Sequence, residues 1–217
     1  MKIELILNFL EGLRDNNNRD WFQENKKQYT EARDEYAMLL DALISKIRKF
    51  DGSIMAISSK DCMFRLNRDV RFSNNKEPYK RNFGAFISGN GRKSEQAGYY
   101  VHIEPGNSFI GGGIYMPQPK ALKAIRTEIF EYPDEFKAII HDEEFLKVFP
   151  EIYGDKLKTA PRGFPKDFKD IELLRHKSYA VIHKVEDTFW KQEDVLEQII
   201  SIFKIQYKYN LFLNNCL

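Results

Sequence analysis

An α+β fold is expected from this chain, with a central antiparallel or mixed sheet packed by a long N-terminal helix and by C-terminal helices. Three observations lead there. Helical periodicity fills both ends of the chain, and strand-like alternation is concentrated between residues 61 and 117. Strands cluster there instead of alternating with helices, which argues against a doubly wound parallel sheet. At 217 residues the chain is expected to form one domain, 1–217, with a substantial core. Its 17 Phe and 11 Tyr make ring packing a large part of that core.

Residues 3–13 read as a short helix, because Ile3, Ile6, Leu7, Leu10 and Leu13 fall on one face. Asn16-Asn17-Asn18 breaks it. Asp20 is the expected N-cap of a helix running to about Phe50, with Trp21, Tyr29, Ala32, Tyr36, Leu39, Leu40, Leu43 and Ile47 on its apolar stripe. From Asp61 the period changes to two. Phe64, Leu66, Arg68, Val70 and Phe72 alternate with Arg65, Asn67, Asp69 and Arg71, as in a strand. A loop over 73–78, a strand over 83–88 and a Gly-rich turn over 89–93 follow. Residues 98–104 and 108–115 form the clearest hairpin, joined by Pro105-Gly106-Asn107, where proline and then glycine suit the two central turn positions. Pro117 and Pro119 open a helix to about Phe130. Short helices over 133–141, 143–149 and 168–175, a Pro/Gly loop over 156–167, a strand over 179–185 and a helix over 191–209 complete the chain.

Net charge is +2, so the whole chain gives no argument for a nucleic-acid partner. Its distribution is more informative. Residues 60–93 carry nine Lys or Arg against Asp61, Asp69 and Glu77, which makes that segment +6 and the remainder −4. The two cysteines, Cys62 and Cys216, have no partner motif and suit a reducing compartment. The N-terminus lacks a signal-peptide pattern and no apolar run of about 18 residues occurs, so a cytoplasmic protein without a membrane span is expected.

Three constellations carry possible chemistry. The first is Arg65, Arg68, Arg71, Lys76, Tyr79, Lys80 and Arg81. Guanidinium forks, ammonium groups and a phenol match the oxygens of a phosphate or carboxylate. The same residues also fit a solvated cationic strand face holding one ion pair. Arg68 shares the apolar face of Leu66 and Val70, so it needs a distant carboxylate or a ligand. The second constellation is Tyr100, His102 and Glu104, which share one strand face. A carboxylate beside a histidine fixes its tautomer and suits proton transfer. A strand histidine satisfied by its neighbours fits equally. The third is Gly111-Gly112-Gly113, which either admits a ligand close to the backbone or lies opposite Gly98, Tyr99 and Tyr100 in the hairpin.

No phosphate-binding loop of the nucleotide-hydrolase kind, dinucleotide fingerprint, serine elbow or Cys-x-x-Cys occurs. The four histidines lack metal-ligand spacing. The residues name neither a metal nor a cofactor.

Long stretches nevertheless carry a resemblance. NNNRDWF at 16–22, RDVRFSNNKEPYKRNFGAFI at 68–87, GYYVHIEPGNSFIGGGIYMP at 98–117 and LKTAPRGFPKDF at 157–168 resemble the bacterial family catalogued as domain of unknown function 2461. The likeness runs over nearly the whole chain and implies one compact domain. It brings no activity, substrate or cofactor with it. It implies a His-Pro pair after Lys166-Asp167, where this chain has Phe168-Lys169.

The expected function is binding of an anionic small ligand in a cationic pocket on the sheet. Arg71, Lys76 and Lys80 would hold the anion with help from Arg65 and Tyr79, and His102 with Glu104 would move a proton if the ligand is a substrate. Two other readings stay open. One is a nucleic-acid module that uses Phe64, Phe72, Tyr79, Phe83 and Phe86 among the cations. The other is a non-catalytic protein-interaction domain.

Overall fold

A computed structural model describes residues 2–217. Among them are nine α-helices and one four-stranded sheet: α1 (Ile3–Asp15), α2 (Arg19–Glu24), α3 (Lys26–Ile47), α4 (Ser59–Cys62), β1 (Phe83–Ile87), β2 (Gly98–Ile103), β3 (Ser108–Ile114), α5 (Pro119–Glu131), α6 (Pro133–Ile140), α7 (Glu143–Val148), α8 (Ile171–Leu174), β4 (Tyr179–Val185) and α9 (Val195–Asn215). The fold is α+β. The strands follow chain order, β1-β2-β3-β4, and every pairing is antiparallel. No helix among the described residues is long and apolar enough to cross a membrane.

The expected helix over 20–50 is two helices. Asn18, not Asp20, is the N-cap, and its side chain accepts from the Trp21 N–H at 2.9 Å. Asn25 then sends both its backbone N–H, at 3.0 Å, and its side-chain amide, at 2.9 Å, to the Trp21 carbonyl. An Asn side chain that bonds the local backbone competes with helix continuation, and α3 starts anew at Lys26.

The strand expected over 64–72 is also corrected. A Ser58–Asp61 capping box, in which the Asp61 carboxylate accepts from the Ser58 backbone N–H at 2.9 Å and also from the Ser58 hydroxyl at 2.8 Å, draws Asp61 and Cys62 into α4. Beyond it the chain forms an irregular arm, tied by isolated bridges from Met63 to Ala85 and from Asn67 to Tyr79. Asp69 accepts from the Arg71 N–H at 3.2 Å and Asn75 from the Glu77 N–H at 2.9 Å. Such side-chain turns use the donors that a strand ladder would need.

One face of the sheet is the core face. Tyr99, Val101, Ile103, Ile110 and Val181 are buried there in one continuous apolar cluster with α1, α3 and α9. The polar tips of this layer find partners. The Tyr36 hydroxyl donates to the Val101 carbonyl at 2.9 Å, and the Tyr99 hydroxyl donates to Asp51 at 2.8 Å. Helix α9 carries Gln206, Asn210 and Asn214 at four-residue spacing. The first two donate to the Gly98 carbonyl at 3.0 and 3.1 Å, and Asn214 accepts from the Ala97 N–H at 2.7 Å. A helix thereby holds the first residue of β2 and the residue before it by hydrogen bonds.

Candidate functional site

The other face of the sheet is open. Alternation along β2 puts Tyr100 and His102 there, half-buried, while their neighbours enter the core. Residues directly opposite in an antiparallel pair share a face. The register therefore adds Phe86 opposite Tyr100, Phe109 opposite His102, and Ile182 opposite Gly111. These side chains floor a cleft of about 660 Å³. Its walls come from elsewhere: Phe64 and Lys80 of the arm, the loop carrying Arg92 to Gln96, the segment Tyr115 to Gln118, and Tyr153. A few polar groups over an apolar, aromatic floor make a common design for a small-molecule site.

Lys80 is the half-buried cation of this cleft, whereas Arg92 and Lys93 in its loop wall are exposed. Its ammonium lies 5.3 Å from the centre of the Phe64 ring, and no carboxylate comes within ion-pair distance of it among the described residues. Burial, and after it the charge of Arg65, hold its pKa below the ordinary lysine value.

Beside it runs a chain of hydrogen-bonding groups. The Tyr100 hydroxyl lies 3.2 Å from Nδ1 of His102, and Nε2 of His102 lies 3.1 Å from Glu104. The Asn82 amide approaches the same Nδ1 at 3.4 Å, and the ring stacks on Phe109 at 4.4 Å and 12°. Asn107 donates to the Glu104 carboxylate at 2.9 Å and fixes it from the hairpin turn. Burial pulls the His102 pKa below its usual value; Glu104 opposes this and Lys80 reinforces it. The Tyr100 phenol is pushed up to about 12, by burial first and then by the charge of Glu104. At neutral pH the imidazole and the phenol are both uncharged.

Gly84 makes room for this chain, because a Cβ on it would lie 2.6 Å from the Tyr100 hydroxyl. Gly84→Ala is expected to swing that hydroxyl away from His102 and raise the His102 pKa, since a buried neutral partner is lost and water gains access. A histidine titration by NMR that is unchanged in the variant would refute this placement.

The residues singled out from the sequence separate. Lys80, Gly112 and Gly113 border the same cleft as Tyr100 and His102. Glu104 stands at its edge through His102, and Gly111 pairs with Tyr100. Arg71, on the arm, is exposed and paired with Asp69 at 2.7 Å, and Lys76 donates to the Val70 carbonyl at 3.2 Å. Neither lines the cleft. Arg68 finds the distant carboxylate it needs in Glu77 at 4.0 Å. Arg65 is exposed beside Lys80. Tyr79 turns into the core and stacks on Phe22 at 4.2 Å. Phe168, where the resemblance implied histidine, packs on Phe130 at 4.9 Å and does not reach the cleft. Phe109, Ile182, Tyr153 and Asn82 were not expected at a site. Strand parity could have placed Phe109 and Ile182 there, but nothing in the sequence marks Tyr153 or Asn82. No group of three His, Cys, Asp or Glu among the described residues is arranged to hold a metal ion.

The family model described as conserved hypothetical protein (DUF2461) matches residues 5–212, nearly the whole chain, and the chain belongs to that family. No curated protein and no solved structure matches it.

Proposed function

We propose that this member of the DUF2461 family binds an anionic small molecule with an apolar or aromatic body in the open cleft of its sheet. The observation that carries this reading is Lys80, a half-buried ammonium at an aromatic cleft with no carboxylate partner. A partly desolvated charge without a counter-charge is costly, and a phosphate or carboxylate would relieve it. Phe64, Phe86 and Phe109 would cover the apolar part of the ligand. His102 and Glu104 supply a basic pair beside it. The free cysteines Cys62 and Cys216 suit a reducing cytoplasm.

A thermal-shift screen with phosphorylated metabolites, nucleotides and dicarboxylates tests the reading. A ligand at a hundredfold excess over its Kd stabilises the fold by about 2.7 kcal/mol, which for a chain of this size raises Tm by roughly 5–10 °C. Lys80→Met keeps the stem and removes the charge, and it is expected to weaken binding at least about tenfold, the usual scale for one charge-assisted contact. A flat screen, or equal binding by Lys80→Met, would reject the proposal.

The arm supports a second reading. Phe72 at its tip is 95% exposed, with the Arg71 guanidinium 5.8 Å from its ring centre. An exposed ring beside cations can stack on a nucleic-acid base. Oligonucleotide binding that falls steeply with salt and is lost in Phe72→Ala would favour that reading.

A further inference from the structure

Tyr100, His102 and Glu104 sit at alternate positions of one strand and its end, and the order of their contacts fixes what each can do. An ionised carboxylate only accepts hydrogen bonds, so the His102 nitrogen facing Glu104, Nε2, carries the ring proton. Nδ1 is then the bare acceptor, and it meets two donors, the Tyr100 hydroxyl at 3.2 Å and the Asn82 amide at 3.4 Å. Both ring nitrogens are thus engaged by the protein, and one face of the ring is covered by Phe109. His102 has no nitrogen to offer a ligand. Tyr100 lines the cleft with its ring, between Phe64 at 6.3 Å and Phe109 at 5.6 Å, and its hydroxyl is the one titratable group of the three with a single hydrogen-bond partner.

We propose that Tyr100 is the catalytic residue of this cleft, a phenol that removes a proton from a bound anionic substrate while its own proton passes to Nδ1 of His102. His102 and Glu104 act through Tyr100 as positioning residues. This rests on the cleft being a ligand site and adds a reaction class to it. In the step, the substrate C–H bond breaks and its proton joins the tyrosine oxygen. The original phenolic proton moves to His102, giving an imidazolium held between Tyr100 and the Glu104 carboxylate. The electron pair of the broken bond stays on the substrate, where the Lys80 ammonium faces the cleft. No electron acceptor and no second reactant is needed. The substrate class is an acid with a proton made labile by a neighbouring carbonyl or carboxylate, because only such a carbanion is stabilised enough by one ammonium and hydrogen bonds. At rest the phenol is protonated and Nδ1 is the bare acceptor beside it; burial raises the phenol and lowers the imidazole, so the proton leaves Tyr100 only in concert with the arrival of the substrate proton, and Glu104 stabilises the imidazolium that forms. The arrangement has the logic of a nucleophile, a base and an orienting carboxylate, with phenol in the first place.

The test needs no knowledge of the substrate. Benzenesulfonyl fluoride reacts with a phenol whose proton has a nearby acceptor: the tyrosine oxygen bonds to sulfur, fluoride leaves, and His102 takes the proton. Peptide mapping by mass spectrometry is expected to find one benzenesulfonyl group on Tyr100, ahead of the exposed Tyr115, Tyr132 and Tyr153. His102→Gln leaves an acceptor for the hydroxyl but cannot take its proton, and it is expected to slow Tyr100 labelling at least about tenfold, the low end for loss of a general base being larger still. Tm serves as the structural control. If His102→Gln is unfolded, Glu104→Gln is used, and slower labelling of Tyr100 is again expected. An unmodified Tyr100, with label only on Lys80 or on the exposed tyrosines, would overturn the proposal. So would a Tyr100 rate unchanged in a folded His102→Gln or Glu104→Gln variant. A negative ligand screen combined with His102-dependent labelling would reject the anion-binding reading while leaving the activated phenol in place.

Discussion

Gly112→Ala is expected to destabilise the protein by at least about 3 kcal/mol, at the upper end of the cost of forcing a group into a close-packed region. A Cβ at this position would lie 1.9 Å from the Gly98 carbonyl oxygen and 2.4 Å from Nε2 of Gln206. Neither neighbour can yield cheaply. The Gly98 carbonyl is backbone, held by both Gln206 and Asn210, and these amides are buried within the α9–sheet layer. Moving the oxygen away would leave buried donors without an acceptor, which costs about 1–3 kcal/mol for each group. At roughly 2–4 °C per kcal/mol for a chain of this length, Tm should fall by about 6–12 °C. Gly52→Ala is the control, because nothing lies within 4 Å of its Cβ position. If both variants melt with the wild type, the close approach of α9, β2 and β3 at Gly112 is not a constraint on the fold. The effect would also reach the site, since Gly112 and Gly113 back one wall of the cleft.

That constraint shows why the glycine run could be located but not interpreted from the sequence. Its register opposite Gly98, Tyr99 and Tyr100 follows from the hairpin, whose turn glycine, Gly106, has φ +75. The amides that crowd Gly112 come from a helix about a hundred residues away, and local pattern carries no record of them. The same distinction runs through the site. Parity alone groups Tyr100, His102 and Glu104, because a strand repeats every two residues whatever surrounds it. Parity over 64–72 misleads, since Asp69 and Asn75 form turns and no continuous strand exists there. Counting cations then weights Arg71 and Lys76, which are satisfied by Asp69 and by a carbonyl. Lys80 differs from them through its neighbours. Tyr79 enters the core against Phe22, which turns the next side chain outward over Phe64. A ring stack between residues 22 and 79 and a wall from Tyr153 are tertiary facts, so the floor of the cleft was legible and its rim was not.

Acid is expected to unfold the protein through His176. This side chain is 4% exposed, its Nδ1 has no hydrogen-bond partner, and its ring lies 6.0 Å from that of Tyr179. Burial, followed by the positive charge of Lys156, lowers its pKa from 6.5 to about 4; Arg126 pushes the same way and Glu172 opposes them. The Arg126 guanidinium donates to the His176 carbonyl at 2.8 Å, which keeps that cation close to the ring. Between the two pKa values the unfolded chain binds a proton that the folded one does not, so stability rises with pH through this window. It is fully present above pH 6.5, begins to fall below it, and is lost by about pH 4. The lost contribution is on the order of 3 kcal/mol, from 1.36 kcal/mol for each pKa unit. His102 adds an effect of the same sign, as burial also depresses its pKa. Urea unfolding of wild type and His176→Phe at steps between pH 7 and 4 isolates the His176 part, because His102 and the carboxylates are common to both. The stability difference between the two proteins should change by about one proton's slope, close to 1.4 kcal/mol per pH unit near pH 5, with the variant the less sensitive to acid. Parallel curves would mean that folded His176 takes up its proton over the same pH range as the unfolded chain, and that the part-buried Arg126–His176 contact admits water or an anion to carry the charge.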